Sequence, residues 1–154
     1  MMVDEPDSKT IHASCVAIGG HAVLLCGASG AGKSDLALRL LDRGAALVSD
    51  DYTVLQRAED RLIAKAPSNI AGMIEVRGIG IVEWPCVAEA PIVLGVRLDV
   101  PPERIPPDPL PTRTILGIPV PFVALDGSQA SAPIKVELAV RDVVDALHKM
   151  QEGG

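Results

Sequence analysis

The most constraining feature of the sequence is a glycine-rich segment at residues 27–34, which fits G-x-x-x-x-G-K-[ST] at every fixed position. In order, its residues are Gly27, Ala28, Ser29, Gly30, Ala31, Gly32, Lys33 and Ser34. Glycines allow the backbone to curl so that successive N–H groups point at phosphate oxygens. The lysine adds a positive charge for the outer phosphates, and the serine hydroxyl can ligate Mg²⁺. The pattern therefore predicts a phosphate-binding loop.

The flanks of this segment predict a strand before it and a helix after it. Residues 21–26 form a short apolar run, which is typical of a buried strand. Residues 34–43 place their apolar side chains at positions 36, 37, 40 and 41, on one face of a helix. Gly44 follows where a left-handed helix cap is expected. Strand, glycine loop and helix in this order are the context that the motif requires.

Length and composition indicate one domain without a membrane span. The 154 residues carry a net charge of −6, which is unfavourable for binding the phosphate backbone of a nucleic acid. No apolar run is long enough to cross a bilayer, and the acidic N-terminus lacks the layout of a signal peptide. We therefore predict a cytoplasmic protein with a single domain at 11–150, between disordered tails at 1–10 and 151–154.

Apolar patterning predicts the remaining elements. A proline-rich stretch at 101–111 favours an extended surface loop, because proline fits neither a helix interior nor a central strand. Apolar periodicity predicts a helix from residue 133 to about 150. Other strands are predicted at 11–18, 45–49, 52–56, 62–64, 75–82, 92–100 and 118–124.

Two adjacent acids, Asp50 and Asp51, end the first strand after the predicted loop helix. They should emerge at the same sheet edge as the loop. A nucleotide site needs carboxylates near Mg²⁺ and near the attacking group, and these two are well placed for both tasks. The pattern indicates that Asp50 faces the metal and Asp51 the nucleophile, although the two could exchange roles.

Three further polar residues have both structural and functional interpretations. Glu75 could complete the oxygen shell of the metal, and Arg77 could steady phosphate charge. On composition alone, such a pair is more often a salt-bridged strand face. A lone histidine on a short strand, such as His12, is more often structural than catalytic.

Taken in order, these residues resemble the catalytic domain of HPr kinase/phosphorylase. The resemblance depends on His12, the loop at 27–34, the pair at 50–51 and above all the run Glu-Val-Arg-Gly-Ile-Gly-Ile at 75–81. It implies an α/β fold, with a mixed sheet that contains the phosphate loop and is flanked by helices. The nucleotide site would be similar to that of phosphoenolpyruvate carboxykinase.

The family resemblance also implies an activity and roles for residues. Members phosphorylate a serine of the phosphocarrier protein HPr with ATP or pyrophosphate, and remove that phosphate by attack of inorganic phosphate. By position, Lys33 would bind the phosphates, and Ser34 and Glu75 would hold Mg²⁺. Asp51 would exchange the seryl proton, with His12 tuning it, Asp50 supporting the metal side and Arg77 completing the catalytic group.

The sequence departs from the family pattern at several points. The resemblance to the catalytic portion begins at residue 11, so we expect the usual N-terminal domain of the family to be missing, as in shortened forms typical of alphaproteobacteria. Ala130 stands where the family carries an arginine implicated in phosphate chemistry, which leaves the reverse, phosphorolytic reaction open. The helical C-terminus is short, so the hexameric assembly of the family does not transfer directly. Two other functions stay open: a kinase for another protein or small-molecule acceptor, and a non-catalytic ATP-sensing module.

Overall fold

The computed structural model describes residues 7–153, and these form a curled mixed sheet with helices packed against one of its faces. The two helices are α1 (Lys33–Asp42) and α2 (Ala132–Gly153). The strands are β1 (Ser8–Ile11), β2 (Ala13–Ile18), β3 (His21–Cys26), β4 (Ala46–Ser49), β5 (Thr53–Ala58), β6 (Arg61–Lys65), β7 (Met73–Val76), β8 (Gly80–Glu83), β9 (Ala90–Arg97), β10 (Thr112–Ile115) and β11 (Ile118–Ala124).

The main sheet runs in the order β1-β5-β6-β9-β3-β2-β4. Because β2 is antiparallel to both β3 and β4, those two strands run in the same direction and end at the same edge. The β9 strand begins beside β6, as an antiparallel partner, and ends beside β11, as a parallel partner. The β10 strand pairs antiparallel with β11, and a separate hairpin of β7 and β8 completes the strands of residues 7–153.

Side chains alternate between the two faces of the sheet and build two apolar clusters. Leu25 packs with the helices in one cluster, whereas its neighbour Leu24 packs in the other with Phe122. The apolar positions predicted for α1 are buried against the first cluster, which confirms the predicted helix face. Burying a leucine side chain stabilises the fold by roughly 1.5–3 kcal/mol, so both faces contribute to stability.

One glycine of the central strand β9 is required for packing. Gly95 is covered by the ring of Phe122 from β11, and a Cβ atom at this position would collide with that ring. The aromatic ring therefore lies directly on the backbone of the sheet.

The predicted tails are wrong where the structure describes them. Residues 8–10 belong to β1, which pairs antiparallel with β5, and α2 continues to residue 153. The side chains of Ser8, Lys9 and Thr10 are exposed, so this edge strand has no apolar pattern that the sequence could reveal. Residues 1–6 and 154 lie outside the described residues.

Two strand predictions also need correction. The single strand predicted at 11–18 is divided at His12, which lies between β1 and β2. The strand predicted at 75–82 is a hairpin, because Gly78 has φ 88° and turns the chain between β7 and β8. Neither helix within residues 7–153 combines the length and apolarity needed to cross a membrane.

Candidate active site

The glycine-rich loop connects β3 to α1 and is closed by its own lysine. Gly32 precedes the helix with φ 91°, and Gly30 has φ 87°, so both use backbone angles that favour glycine. Lys33 Nζ donates to the carbonyl oxygens of Gly27 at 2.8 Å and Ala28 at 3.1 Å. Because Lys33 is only 5% exposed, its positive charge is fixed within the loop.

Asp50 lies at the end of β4 and joins three elements. Its Oδ1 accepts hydrogen bonds from Ser34 Oγ at 2.6 Å and from Ser14 Oγ at 3.0 Å. Its Oδ2 accepts from the backbone N–H of Glu75 at 2.9 Å, and the residue is 7% exposed. The contact with Ser34 confirms the prediction that this acid emerges at the same sheet edge as the loop.

Asp51 is the neighbour of Asp50 in sequence but has a different environment. Its side chain is 53% exposed, and its Oδ1 lies 2.7 Å from His12 Nε2. The His12 ring stacks on Tyr52, with ring centroids 5.1 Å apart. The backbone of Asp51 has φ 66°, in the left-handed region that L-residues seldom adopt. Of the two acids, therefore, Asp51 is the one that solvent and substrate can reach.

One cleft of about 510 Å³ is lined by Lys33, Ser34, Asp51, Glu75 and Arg77 among the predicted residues, whereas Asp50 and His12 do not line it. The glycine-rich loop lines one side, and the β7–β8 hairpin contributes Glu75 and Arg77. Alternation along β7 places Glu75 on the face opposite the buried Ile74, which anchors the hairpin in the core. The residues that line the cleft are Ser29, Gly30, Gly32, Lys33, Ser34, Asp35, Leu38, Asp51, Glu75, Val76 and Arg77.

Ser14 is the residue that sequence reasoning missed. It is fully buried in β2. Its hydroxyl donates a hydrogen bond to Asp50 Oδ1 and accepts one from the backbone N–H of Asp51 at 3.0 Å. A single side chain thus holds both acids. The available signal was an isolated hydroxyl in an apolar strand, two residues after His12.

Oxygen donors in the cleft and directly behind it fit Mg²⁺. No group of three His, Cys, Asp or Glu side chains converges as a metal cage within residues 7–153. Mg²⁺ does not need one, because it binds through one or two carboxylates and keeps the rest of its shell for water and substrate phosphates. Ser34, Asp50 and Glu75 supply hard oxygen donors of this type, on elements that already contact one another.

Comparison with protein families gives a match over the part of the chain that holds this site. Residues 6–87 match the family model described as "HPr Serine kinase C-terminal domain". The matched range includes His12, the glycine-rich loop, both acids and the β7–β8 hairpin.

Curated relatives and a solved structure extend the likeness. The HPr kinase/phosphorylase of Peptoclostridium acidaminophilum is 47% identical over 77 residues, which cover 49% of this chain and 25% of the relative. That of Acidovorax sp. (strain JS42) is 34% identical over 153 residues, covering 90% of this chain and 48% of the relative. The chain thus spans about a quarter to a half of the length of these relatives. The Hpr(Ser) kinase/phosphatase structure from Coxiella burnetii superposes with a TM-score of 0.81 at 30% identity, covering 94% of this chain and 96% of that chain.

Proposed function

The chain belongs to the HPr serine kinase C-terminal domain family, and we propose that it transfers the terminal phosphoryl group of ATP to a serine hydroxyl of an HPr-type phosphocarrier protein. ATP and the acceptor are the substrates, and Mg²⁺ is the required metal. The family match and the likeness of nearly the whole fold to the Coxiella burnetii structure support this assignment.

The observation that carries the proposal is the shared cleft. Asp51 and Lys33 line the same cavity, so a phosphate held by the loop lies near a carboxylate that can receive a proton. A module that only senses ATP needs the loop but has no use for an exposed acid paired with a histidine. The arrangement therefore favours an enzyme over a sensor.

Asp51 is the proton acceptor in this mechanism. Its Oδ1 is engaged by His12, so the other carboxylate oxygen is available to the serine hydroxyl. As the serine oxygen bonds to the γ-phosphorus, its proton passes to Asp51. The bond from phosphorus to the bridging oxygen breaks, and the electron pair leaves with ADP. The reverse step returns the same proton, as microscopic reversibility requires.

The opposite side of the cleft binds and orients the phosphates. The N–H groups of the loop and the start of α1 face the oxygens, and Lys33 supplies a fixed positive charge. Arg77 adds a second cation from the hairpin. Ser34, Asp50 and Glu75 would hold Mg²⁺, which neutralises charge on the transferred group when bound. Catalysis thus consists mainly of positioning and charge stabilisation.

The buried and exposed acids divide the work. Asp50 accepts three hydrogen bonds and is shielded from the acceptor protein, which favours a role beside the metal. Asp51 is exposed toward the cleft, which favours the nucleophile side. We therefore assign Asp50 to the metal and Asp51 to the nucleophile, as the sequence analysis predicted.

The direct test is a transfer assay with the HPr protein of the same organism. Incubation with ATP and MgCl₂ should give a single phosphoserine on the acceptor, detected by phosphoprotein mass spectrometry. Chelation of the metal with EDTA should stop the reaction. Tight ATP binding without this product would point to a different acceptor, whereas no calorimetric binding of ATP or ADP would refute the kinase proposal.

The same assay measures reversibility. Inorganic phosphate is added to the purified phosphoprotein, and pyrophosphate release is followed. Because Ala130 offers no cation where the family resemblance places an arginine, we expect this reaction to be weak relative to the forward transfer.

A further inference from the structure

A second cavity begins where the glycine-rich loop begins, and the transfer mechanism leaves most of its residues without a role. It has a volume of about 350 Å³ and is lined by residues of β1, β3, β9, β10 and β11, together with Gly27 and His12. We call it the basic recess, after its three cations Lys9, Arg97 and Arg113.

The charge of the basic recess is opposite to that of the whole chain. The chain carries a net charge of −6, yet these three cations face a single lining carboxylate, Asp99, 3.5 Å from Arg97. Within residues 7–153, neither Lys9 nor Arg113 has a carboxylate within 4.0 Å. A pocket whose cations exceed its anions attracts negatively charged ligands and raises their local concentration.

The thiol of Cys26 also lines the basic recess. Burial raises the pKa of Cys26 to about 11, and the guanidinium groups of Arg113 and Arg97 act against this rise. A cation lowers the pKa of a thiol because it stabilises the thiolate. Both arginines thus act on the part of the basic recess that Cys26 lines, where Asp99 acts in the opposite direction.

The floor of the basic recess is apolar. It contains Ile11, Ile115 and Phe122, of which the last two are 9% and 7% exposed. An apolar floor below a cationic rim suits an anionic group on a short hydrocarbon stem better than a fully hydrated ion. Carboxylate and phosphate side chains have this form.

The location of the basic recess associates it with the acceptor. His12 lines it and also contacts Asp51, the proposed proton acceptor. In the 510 Å³ cleft proposed to hold the phosphates, the first lining residue of the glycine-rich loop is Ser29. The basic recess contacts the same loop at Gly27. A group in the basic recess would therefore lie beside the reacting hydroxyl rather than in the phosphate cleft.

We propose that the basic recess binds a carboxylate or phosphate group next to the hydroxyl that receives the phosphoryl group. This inference rests on the proposed kinase function. The anion arrives either on the acceptor protein, where it contributes to recognition, or as a free small anion.

The first test removes two of the three cations, one at a time. Lys9→Gln and Arg113→Gln should each raise KM for the HPr-type acceptor about tenfold, as expected for loss of one charge-assisted hydrogen bond. The dissociation constant for Mg·ADP and kcat should stay within about twofold. Arg141→Gln is the matched control, because it removes the same charge from an exposed position on α2.

The second test detects a free anion. Sodium sulfate is titrated at constant ionic strength into ¹⁵N-labelled protein whose phosphate loop is filled with Mg·ADP. Shifts of the Arg97 and Arg113 Nε–H signals that are lost in Lys9→Gln indicate a small-anion site. A raised acceptor KM in the variants instead identifies the acceptor as the source of the anion.

The two proposals fail in different ways. If the protein binds Mg·ADP and phosphorylates the acceptor with unchanged KM in both variants, and sulfate shifts neither arginine, the basic recess is not an anion site. If Mg·ADP itself does not bind, the kinase proposal is refuted, and with it the anion-site proposal that rests on it.

Discussion

Two turns meet at the candidate site, and they reach left-handed backbone angles by different means. The glycine-rich loop after β3 does so at Gly30 and Gly32, which have no Cβ atom to strain. The acidic turn at residues 50–52, after β4, does so at Asp51, which has one. The second conformation needs support from outside the turn, and Ser14 of β2 supplies it by accepting the Asp51 N–H.

This difference separates local from long-range information. The shape of the glycine-rich loop is determined by its own residues, whereas that of the acidic turn depends on a strand 37 positions away in sequence. We expect substitutions in the loop to affect phosphate binding, and substitutions around the acidic turn to affect proton transfer.

The largest expected effect is on the acidic turn. Asp51→Asn keeps the shape of the side chain but removes the proposed base, so kcat should fall by about 10²–10⁴-fold. Calorimetry should give a dissociation constant for Mg·ATP within about twofold of the native value. Turnover close to that of the native protein would refute the role of Asp51.

In the glycine-rich loop, Lys33→Ala should weaken nucleotide binding and transfer together. Loss of its charge-assisted hydrogen bonds is expected to raise the dissociation constant for Mg·ATP by about 10–100-fold. Calorimetric titration measures this directly. Native affinity combined with lost turnover would mean that the two turns do not divide binding and chemistry as proposed.

The support between the turns is tested with Ser14→Ala. The variant leaves the partly buried N–H of Asp51 without its acceptor, so the free energy of unfolding should fall by about 1–3 kcal/mol. Because the Asp51 carboxylate loses its position, kcat should also fall. The factor by which kcat falls should be about ten times the factor by which the affinity for Mg·ATP falls.

Ser14→Thr is the matching control, since it keeps the hydroxyl. It should recover most of kcat, although its additional methyl group must fit a fully buried site. Equal activity of the alanine and threonine variants would show that the hydroxyl does not position the base.

The smallest effect compares backbone strain in the two turns. Asp51→Gly and Asp51→Ala lose the same contacts, but only alanine is strained at φ 66°, so the glycine variant should be more stable by about 1 kcal/mol. Gly30→Ala should lose a similar amount, because nothing lies within 4 Å of the added Cβ and strain acts alone. Chemical unfolding measures both differences.

Elements whose structure depends on neighbouring residues could be predicted from the sequence, whereas elements that depend on distant contacts could not. The loop helix, its buried face and the strand before it were predicted correctly, because apolar period and glycine spacing are local signals. Asp50 was placed beside the loop because strand direction brings the two together. The family resemblance indicated His12, Glu75 and Arg77, which composition alone left undecided.

What the sequence could not reveal depends on contacts between distant segments. The edge strand β1 has exposed polar side chains at Ser8, Lys9 and Thr10, and it owes its place to pairing with β5 and to the packing of Ile11. Ser14 gains its role from two acids that approach it through the fold. The hairpin at 73–83 needed the turn at Gly78, which could not be distinguished in sequence from a strand interrupted by glycines.

The packing of Phe122 on Gly95 has a consequence for ligand size. The ring rests where a side chain of the central strand would otherwise stand, and the same ring forms part of the floor of the basic recess. Even a methyl group at Gly95 would push the ring outward and make the recess shallower. Gly95 therefore limits the size of the ligand that the basic recess admits, although Gly95 itself does not line the recess.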